Sequence, residues 1–219
     1  MAIAVPLCAV EAAYRVALVG VSRPVRPRSE LPKAVAEALS LELTGSSVPR
    51  LQRLWPWDVA GFLAVAFAND ILRVSDPGIQ RRRTLNLGMI VHDTMVSSAA
   101  RPGFYRQLAL QMWISRNWTP SEALAAWAES NRVAERARAL YGKDLDALDP
   151  GELAGVVSFM QAPSRMRRSP TAWLAARTNL LRQMAGAGLI TGPVRAAADR
   201  LPLPVAGLTK PASAPVEER

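Results

Sequence analysis

The sequence predicts an all-α fold, and three observations support this prediction. Apolar residues recur at helical spacing, as Val35, Ala38 and Leu39 do between residues 31 and 43. The segments 119–122 (TPSE) and 149–152 (DPGE) each place a capping residue, a proline and a glutamate in the order that starts a helix. No stretch of the chain has the convincing period-two alternation that is typical of a half-buried strand.

Seven helices follow from these patterns, and Gly188 is the stop signal of the last one. They are predicted, in chain order, at residues 7–20, 31–43, 57–73, 104–115, 121–141, 153–160 and 171–187. The first helix is amphipathic, so it either packs on the core or lies on a membrane surface. The helix at 57–73 (WDVAGFLAVAFANDILR) is nearly all apolar, which predicts burial, and an Asp76-Pro77-Gly78 turn follows it.

The chain divides into three predicted regions. Residues 1–50 form an N-terminal region of amphipathic helix and linker, in which the Pro/Arg segment 22–28 is expected to be non-helical and wet. Residues 51–200 form the helical domain, and the Pro/Ala-rich residues 201–219 are expected to be a disordered tail. No transmembrane span or signal peptide is predicted, because charges interrupt the N-terminal apolar run and its basic residues come late.

The net charge and the two residue types that occur only once limit the classes of function that the chain can have. The chain has 27 Lys plus Arg against 18 Asp plus Glu, a net charge of +9, and nearly all of its cations are arginines. Such a surface attracts anionic partners, which include nucleic acids, acidic lipids and phosphorylated lipids. The single cysteine, Cys8, and the single histidine, His92, exclude a disulfide framework and a His/Cys zinc site. No metal site and no cofactor are predicted.

Residues 141–191 (YGKDLDALDPGELAGVVSFMQAPSRMRRSPTAWLAARTNLLRQMAGAGLIT) carry a resemblance to a known family. Four features occur there in order: an aromatic-Gly-Lys segment before Asp-Leu, an acid-led apolar helix, a Gln-Ala-Pro-Ser turn and an arginine-containing helix that ends in a Met…Gly…Ile pattern. This stretch resembles the end of the peptidoglycan glycosyltransferase domain, glycosyltransferase family 51, of penicillin-binding proteins and monofunctional biosynthetic transglycosylases. Weaker similarity extends back to residues 118–129 and 66–78.

The resemblance implies a lysozyme-like helical fold, a membrane-associated extracytoplasmic setting and a cleft for a lipid-linked anionic substrate. It places Gln161, Ser164, Arg165 and Arg167 at that cleft as substrate-binding residues. The arginines follow directly on the Gln-Ala-Pro-Ser turn, so phosphate contact is one interpretation of this cluster and a solvated face is the other. The cluster Arg81-Arg82-Arg83 has the same two interpretations. The compartment itself stays undetermined by the sequence.

The sequence departs from the family where catalysis is expected. The position of the family's proton-accepting glutamate is occupied by Asn69, and the position near its second glutamate by Gln107. An amide side chain cannot serve as a general base. The nearby carboxylates Asp70 and Asp76 are the fallback candidates for a catalytic acid or base. The family's motifs between residues 78 and 107 and between 129 and 140 are not recognisable.

We therefore expect a degenerate, non-catalytic glycosyltransferase-like domain that acts in binding or assembly near the bacterial cell envelope. Three alternatives remain open at this stage. The first is an active enzyme that polymerises a lipid-linked disaccharide with an unusual base. The second is a basic helical protein that binds nucleic acid, which is the less favoured partner. The third is a subunit of a larger complex, which binds a protein partner through residues 1–20 or through the C-terminal tail.

Overall fold

A computed structural model describes residues 4–55, 58, 92 and 103–204. These ranges contain nine α-helices, one short 3-10 turn at Leu145–Ala147 and no strand, which confirms the all-α class. The helices, numbered within the described residues, are α1 (Ala4–Ala17), α2 (Lys33–Thr44), α3 (Phe104–Asn117), α4 (Pro120–Ser130), α5 (Val133–Tyr141), α6 (Pro150–Gln161), α7 (Pro163–Arg168), α8 (Pro170–Gly186) and α9 (Gly192–Arg200). Apart from residue 58, the predicted helix at 57–73 lies outside the described residues, and so do residues 205–219 of the predicted tail.

Helix α6 is the centre of the main core. Every residue from Leu153 to Met160 is buried, as expected for a helix that has small or apolar residues on all sides. It packs against α8, α5, α9 and α2. The rings of Phe159 on α6 and Trp173 on α8 lie 5.0 Å apart between centroids, so aromatic packing joins these two helices.

Both predicted capping boxes are present. The hydroxyl of Thr119 accepts a hydrogen bond from the backbone N–H of Glu122, whose carboxylate accepts from the N–H of Thr119 at 2.7 Å. At the start of α6, Asp149 Oδ1 accepts from the N–H of Glu152 at 2.9 Å, and Glu152 Oε2 accepts from the N–H of Asp149 at 3.0 Å. These local contacts satisfy backbone donors that the first turn of a helix leaves free.

The predicted helix at 121–141 is wrong in its continuity, because it is two helices. The chain breaks at Arg132, which has a φ of 54°, the left-handed conformation that non-glycine residues seldom adopt. Asn131 stabilises the break, since its side-chain amide donates to the carbonyl of Trp127 at 2.9 Å. Two helices were also missed. Residues 163–168 form α7, although 163 and 164 were predicted to belong to the Gln-Ala-Pro-Ser turn, and residues 192–200, for which no element was predicted, form α9.

The Pro/Arg segment 22–28 is non-helical as predicted, but it is not a free linker. The guanidinium of Arg26 donates to the carbonyl of Asn117 at 3.1 Å, and the backbone N–H of Arg28 donates to Glu129 at 3.0 Å. The guanidinium of Arg23 lies 5.7 Å from the ring centroid of Trp113. Because the carbonyl end of a helix attracts cations, the last turn of α3 is a favourable site for Arg26.

Helix α1 and the turn that follows it pack against α3 through a small second cluster of buried residues, namely Tyr14, Leu18, Ala109 and Met112. Within the described residues no helix has the length and apolar character needed to cross a membrane. Helix α2 belongs to the main core, because Val35, Ala38 and Leu39 are fully buried in it.

Candidate anion-binding site

Of the positions at which the sequence predicts or replaces catalytic residues, the structure describes only Gln107. Asn69, Asp70 and Asp76 lie outside the described residues, and so does the cluster Arg81-Arg82-Arg83. Gln107 is described: it lies in the first turn of α3 and is half-buried. Helix α3 packs mainly against α1, whereas α7 packs against α6 and α8, so Gln107 and the predicted substrate-binding residues belong to different parts of the helical packing.

The four predicted substrate-binding residues lie together at the end of α6 and on α7. Gln161 is the last residue of α6 and is exposed, and Ser164, Arg165 and Arg167 are exposed on α7. Their proximity follows from the chain itself, since Pro163 begins a new helix only two residues after α6 ends. Arg168, the last residue of α7, is exposed as well and adds a third guanidinium.

Helix α7 is held on the protein by one buried side chain and by backbone hydrogen bonds at its two ends. Met166 is buried and packs into the main core, while its neighbours on both sides are solvent-exposed. The N–H of Met166 donates to the carbonyl of Ala162 at 2.9 Å, and the N–H of Ser169 donates to the carbonyl of Arg165 at 2.9 Å. Ser169 then caps α8 by accepting from the N–H of Ala172. Together these contacts hold the α7 backbone in place and leave its arginine side chains in water.

The three arginines of α7 form no ion pair and no side-chain hydrogen bond within the described residues, unlike Arg26, Arg116, Arg138 and Arg195 elsewhere. The surrounding sequence explains why. Residues 153–198 contain six arginines and not a single Asp or Glu. Local carboxylates therefore do not neutralise α7, and its surface is positive. A cluster of unpaired guanidiniums is suited to bidentate contact with phosphate or carboxylate.

The other cations of this stretch have structural roles. Arg177 on α8 is buried, and its Nη2 atom donates to the carbonyls of Asp199 at 3.3 Å and Leu201 at 2.7 Å. This contact holds the carbonyl end of α9 against α8. Lys143 donates to both carboxylate oxygens of Glu152 at 2.8 Å, and this hydrogen bonding raises the pKa of Lys143. Neither cation is free to bind a ligand.

The Tyr-Gly-Lys segment is likewise explained by packing. The hydroxyl oxygen of Tyr141 is buried, and a Cβ atom on Gly155 would lie 2.2 Å from it. Burial raises the pKa of Tyr141 to about 12. The indole N–H of Trp173 donates to the carbonyl of Gly155 at 2.9 Å. Gly155 therefore lets α5 and α8 approach α6 closely, and Gly142, with a φ of 68°, ends α5.

One unusual carboxyl group was missed in the sequence. Glu42 lies at the core-facing register of α2, four residues after Ala38, and burial raises its pKa to about 7. The sequence contained a signal for its burial, because Glu42 shares one helical stripe with Val35, Ala38 and Leu39. In the part of the chain that the structure describes, no three His, Cys, Asp or Glu side chains lie close enough together to hold a metal ion.

No protein-family model and no curated protein matches this sequence. The fold and the candidate site define the class of the chain as an all-α protein with an exposed helix, α7, that carries three arginines.

Proposed function

We propose that this chain is a non-catalytic relative of the family 51 glycosyltransferases, and that it binds the phosphate groups of a lipid-linked saccharide near the bacterial cell envelope. The observation that carries the proposal is α7. Its three arginines are exposed, unpaired within the described residues and held on a backbone that the buried Met166 fixes to the core. The lysozyme-like arrangement that the resemblance implies is part of this proposal.

The charge pattern favours a phosphate ligand. A guanidinium donates two parallel hydrogen bonds to phosphate oxygens, and such charge-assisted bonds are about twice as strong as neutral ones. Residues 153–198 lack carboxylates, so none of that segment's own side chains competes with the ligand. Gln161 and Ser164, which are exposed beside the arginines, can donate to or accept from sugar hydroxyls.

The proposed loss of catalysis rests on two amides. Asn69 and Gln107 occupy the positions at which the resemblance implies glutamates. Removal of a general base costs about 10²–10⁴-fold in rate, and loss of electrostatic stabilisation adds a further factor of about 10²–10³. The rival interpretation, an active enzyme that uses Asp70 or Asp76, predicts turnover, whereas our proposal predicts binding alone.

A titration tests the binding. The ligand is a water-soluble disaccharide pyrophosphate with a short prenyl chain, and the same disaccharide without pyrophosphate is the ligand control. The variant R165Q/R167Q/R168Q removes the charges of α7, and R50Q/R53Q/R106Q is its matched control, because it removes three exposed arginines elsewhere that likewise form no ion pair within the described residues. We expect the α7 variant to bind the pyrophosphate ligand at least tenfold more weakly than the control variant does.

Two results would contradict the proposal. Equal affinities of the two triple variants would show that total charge, and not α7, determines binding. A preference of the unmodified protein for DNA or RNA over the pyrophosphate ligand, with a steep salt dependence, would favour the nucleic-acid alternative instead.

A second experiment tests the proposed loss of catalysis. Asn69→Glu restores a carboxylate at residue 69. Polymer formation by this variant, and not by the unmodified protein, would assign the loss of catalysis to residue 69.

A further inference from the structure

The Pro/Arg segment 22–28 between α1 and α2 has a period of three residues. Val21, just before the segment, and Pro24 and Pro27 within it are half-buried, whereas the two residues that separate each of these positions from the next are exposed. Three residues per turn is the repeat of the polyproline II helix. Proline and the residue before a proline both favour that conformation. The segment therefore lies with one edge of a polyproline II helix against the protein.

The segment follows a row of groups on α3 and α4, which we call the α3–α4 face. This face consists of an aromatic ring, a helix-end carbonyl and two carboxylates, contributed in this order by Trp113, Asn117, Glu122 and Glu129. Arg26 makes the central contact. Its guanidinium lies 3.1 Å from the carbonyl oxygen of Asn117 and 3.4 Å from a carboxylate oxygen of Glu122.

The chemistry of the α3–α4 face fits a cationic, proline-rich ligand. An aromatic ring attracts a guanidinium that lies over it, and carboxylates form charge-assisted hydrogen bonds with guanidiniums. Surfaces that bind polyproline II segments are lined by aromatic side chains in the same way. An anionic ligand is disfavoured, because Glu122 and Glu129 would repel it.

The contacts that hold the segment on this face are close to solvent. In the pair of Arg26 and Glu122 the side chains are 64% and 26% exposed, and Val25, between the two prolines, is 81% exposed. Ion pairs at such positions contribute little to stability. The segment can therefore leave the α3–α4 face at a small cost, and the main core does not depend on it.

We propose that the α3–α4 face binds an arginine-containing, proline-rich segment of a partner protein in the polyproline II conformation, and that the chain's own Pro/Arg segment occupies the face when the partner is absent. The chain's own segment shows which chemistry the face accepts. A second copy of the chain is disfavoured as the partner, because its segment is fixed at both ends, by Leu18 against α3 and by Val35 in the main core. The proposal does not depend on α7 or its ligand.

Peptide titration tests this proposal. The probe is a fluorescein-labelled peptide of residues 21–30 (VSRPVRPRSE) with blocked ends, and its control has alanine at both proline positions and the same charge. The full chain is compared with an opened variant, in which residues 22–28 are replaced by an equal number of glycines and serines. R23Q/R26Q is a second opened variant that keeps the native backbone. Circular dichroism of all proteins checks that they remain folded.

We expect both opened variants to bind the probe, and the unmodified protein to bind it about tenfold more weakly. The reason is competition, because a tethered segment acts at an effective concentration in the millimolar range and leaves only a minor fraction of the face free. The control peptide should bind the opened variants about fivefold more weakly than the probe, since alanine does not preorganise the polyproline II conformation.

A pair of carboxylate variants locates the binding on the α3–α4 face. In the opened variant, E122Q/E129Q should weaken probe binding about tenfold, and glutamine at residue 122 still suits the capping box. The matched control E37Q/E135Q removes two carboxylates that form ion pairs elsewhere, and it should leave probe binding unchanged.

Four results would overturn the proposal. The opened variants do not bind the probe, the two peptides bind equally well, or the two carboxylate pairs have equal effects. The fourth is a dimer of the unmodified protein that the opened variant does not form, because it would show that the segment exchanges between copies of this chain.

Discussion

The contact between Gly155 and Tyr141 makes the close packing of α5 on α6 measurable. A Cβ atom on Gly155 would lie 2.2 Å from the hydroxyl oxygen of Tyr141 but 3.3 Å from the ring carbon that bears it. Gly155→Ala therefore forces the half-buried tyrosine to move, whereas the same change made together with Tyr141→Phe meets only the ring at a longer distance. The severe part of the clash is thus assigned to the hydroxyl oxygen.

The magnitudes follow from two opposing effects. Overpacking of a core costs about 1–3 kcal/mol, and replacing a helical glycine by alanine stabilises a helix by about 1 kcal/mol. In the unmodified background we expect Gly155→Ala to lower the free energy of unfolding by about 1 kcal/mol. With Tyr141→Phe present, the ring carbon is still a tight contact at 3.3 Å, so Gly155→Ala should be close to neutral. The coupling free energy between the two sites is therefore about 1 kcal/mol.

Urea unfolding followed by circular dichroism measures all four proteins of the cycle. Gly186→Ala is the control, because Gly186 is a helical glycine of the neighbouring α8 at which a Cβ atom would meet nothing within 4 Å. It should be neutral or stabilising. A coupling below about 0.5 kcal/mol, or destabilisation by Gly155→Ala that persists with Tyr141→Phe, would refute the packing described for α5 and α6.

Two further predictions concern buried ionisable groups. Burial raises the pKa of Glu42 from 4.5 to about 7, so the folded state binds its proton more tightly and the protein loses stability as the pH rises from about 4.5 through 7. Near pH 4, Glu42→Gln should have the same free energy of unfolding as the unmodified protein. At pH 8 its free energy of unfolding should be higher by about 1–2 kcal/mol, after allowance for solvent screening. An equal difference at both pH values would contradict this prediction. Arg177→Met removes the hydrogen bonds to the carbonyls of Asp199 and Leu201. It should cost about 2 kcal/mol and speed amide hydrogen exchange in α9 first, whereas unchanged exchange in α9 would show that Arg177 does not hold that helix.

The sequence predicted those features of the fold that depend on neighbouring residues. The capping boxes at Thr119 and Asp149 involve contacts over three residues, so the pattern of residue types is sufficient. The break at Arg132 was not predictable in this way, because a non-glycine residue in the left-handed region is held there by its surroundings. Helix α7 was missed, because Met166 is its one buried residue and a single apolar side chain among three arginines shows no helical periodicity.

The candidate site likewise combines features that depend on neighbouring residues with features that depend on distant parts of the chain. Gln161, Ser164, Arg165 and Arg167 lie within seven residues of one another, and the sequence therefore brings them together without help from the fold. Their lack of ion-pair partners depends on what the rest of the chain places near them, and only the structure reports it within the described residues. The burial of Glu42 and the docking of the segment 22–28 along α3 and α4 are long-range in the same sense.

Polymerisation of a labelled lipid-linked disaccharide by the unmodified protein tests the central claim most directly, because binding without chemistry is what separates our proposal from an active enzyme. With the protein at a concentration that saturates the α7 site, the account predicts that the labelled disaccharide is retained on the protein and that no polymer appears on a gel. Polymer formed by the unmodified protein, above that seen without protein, would contradict it.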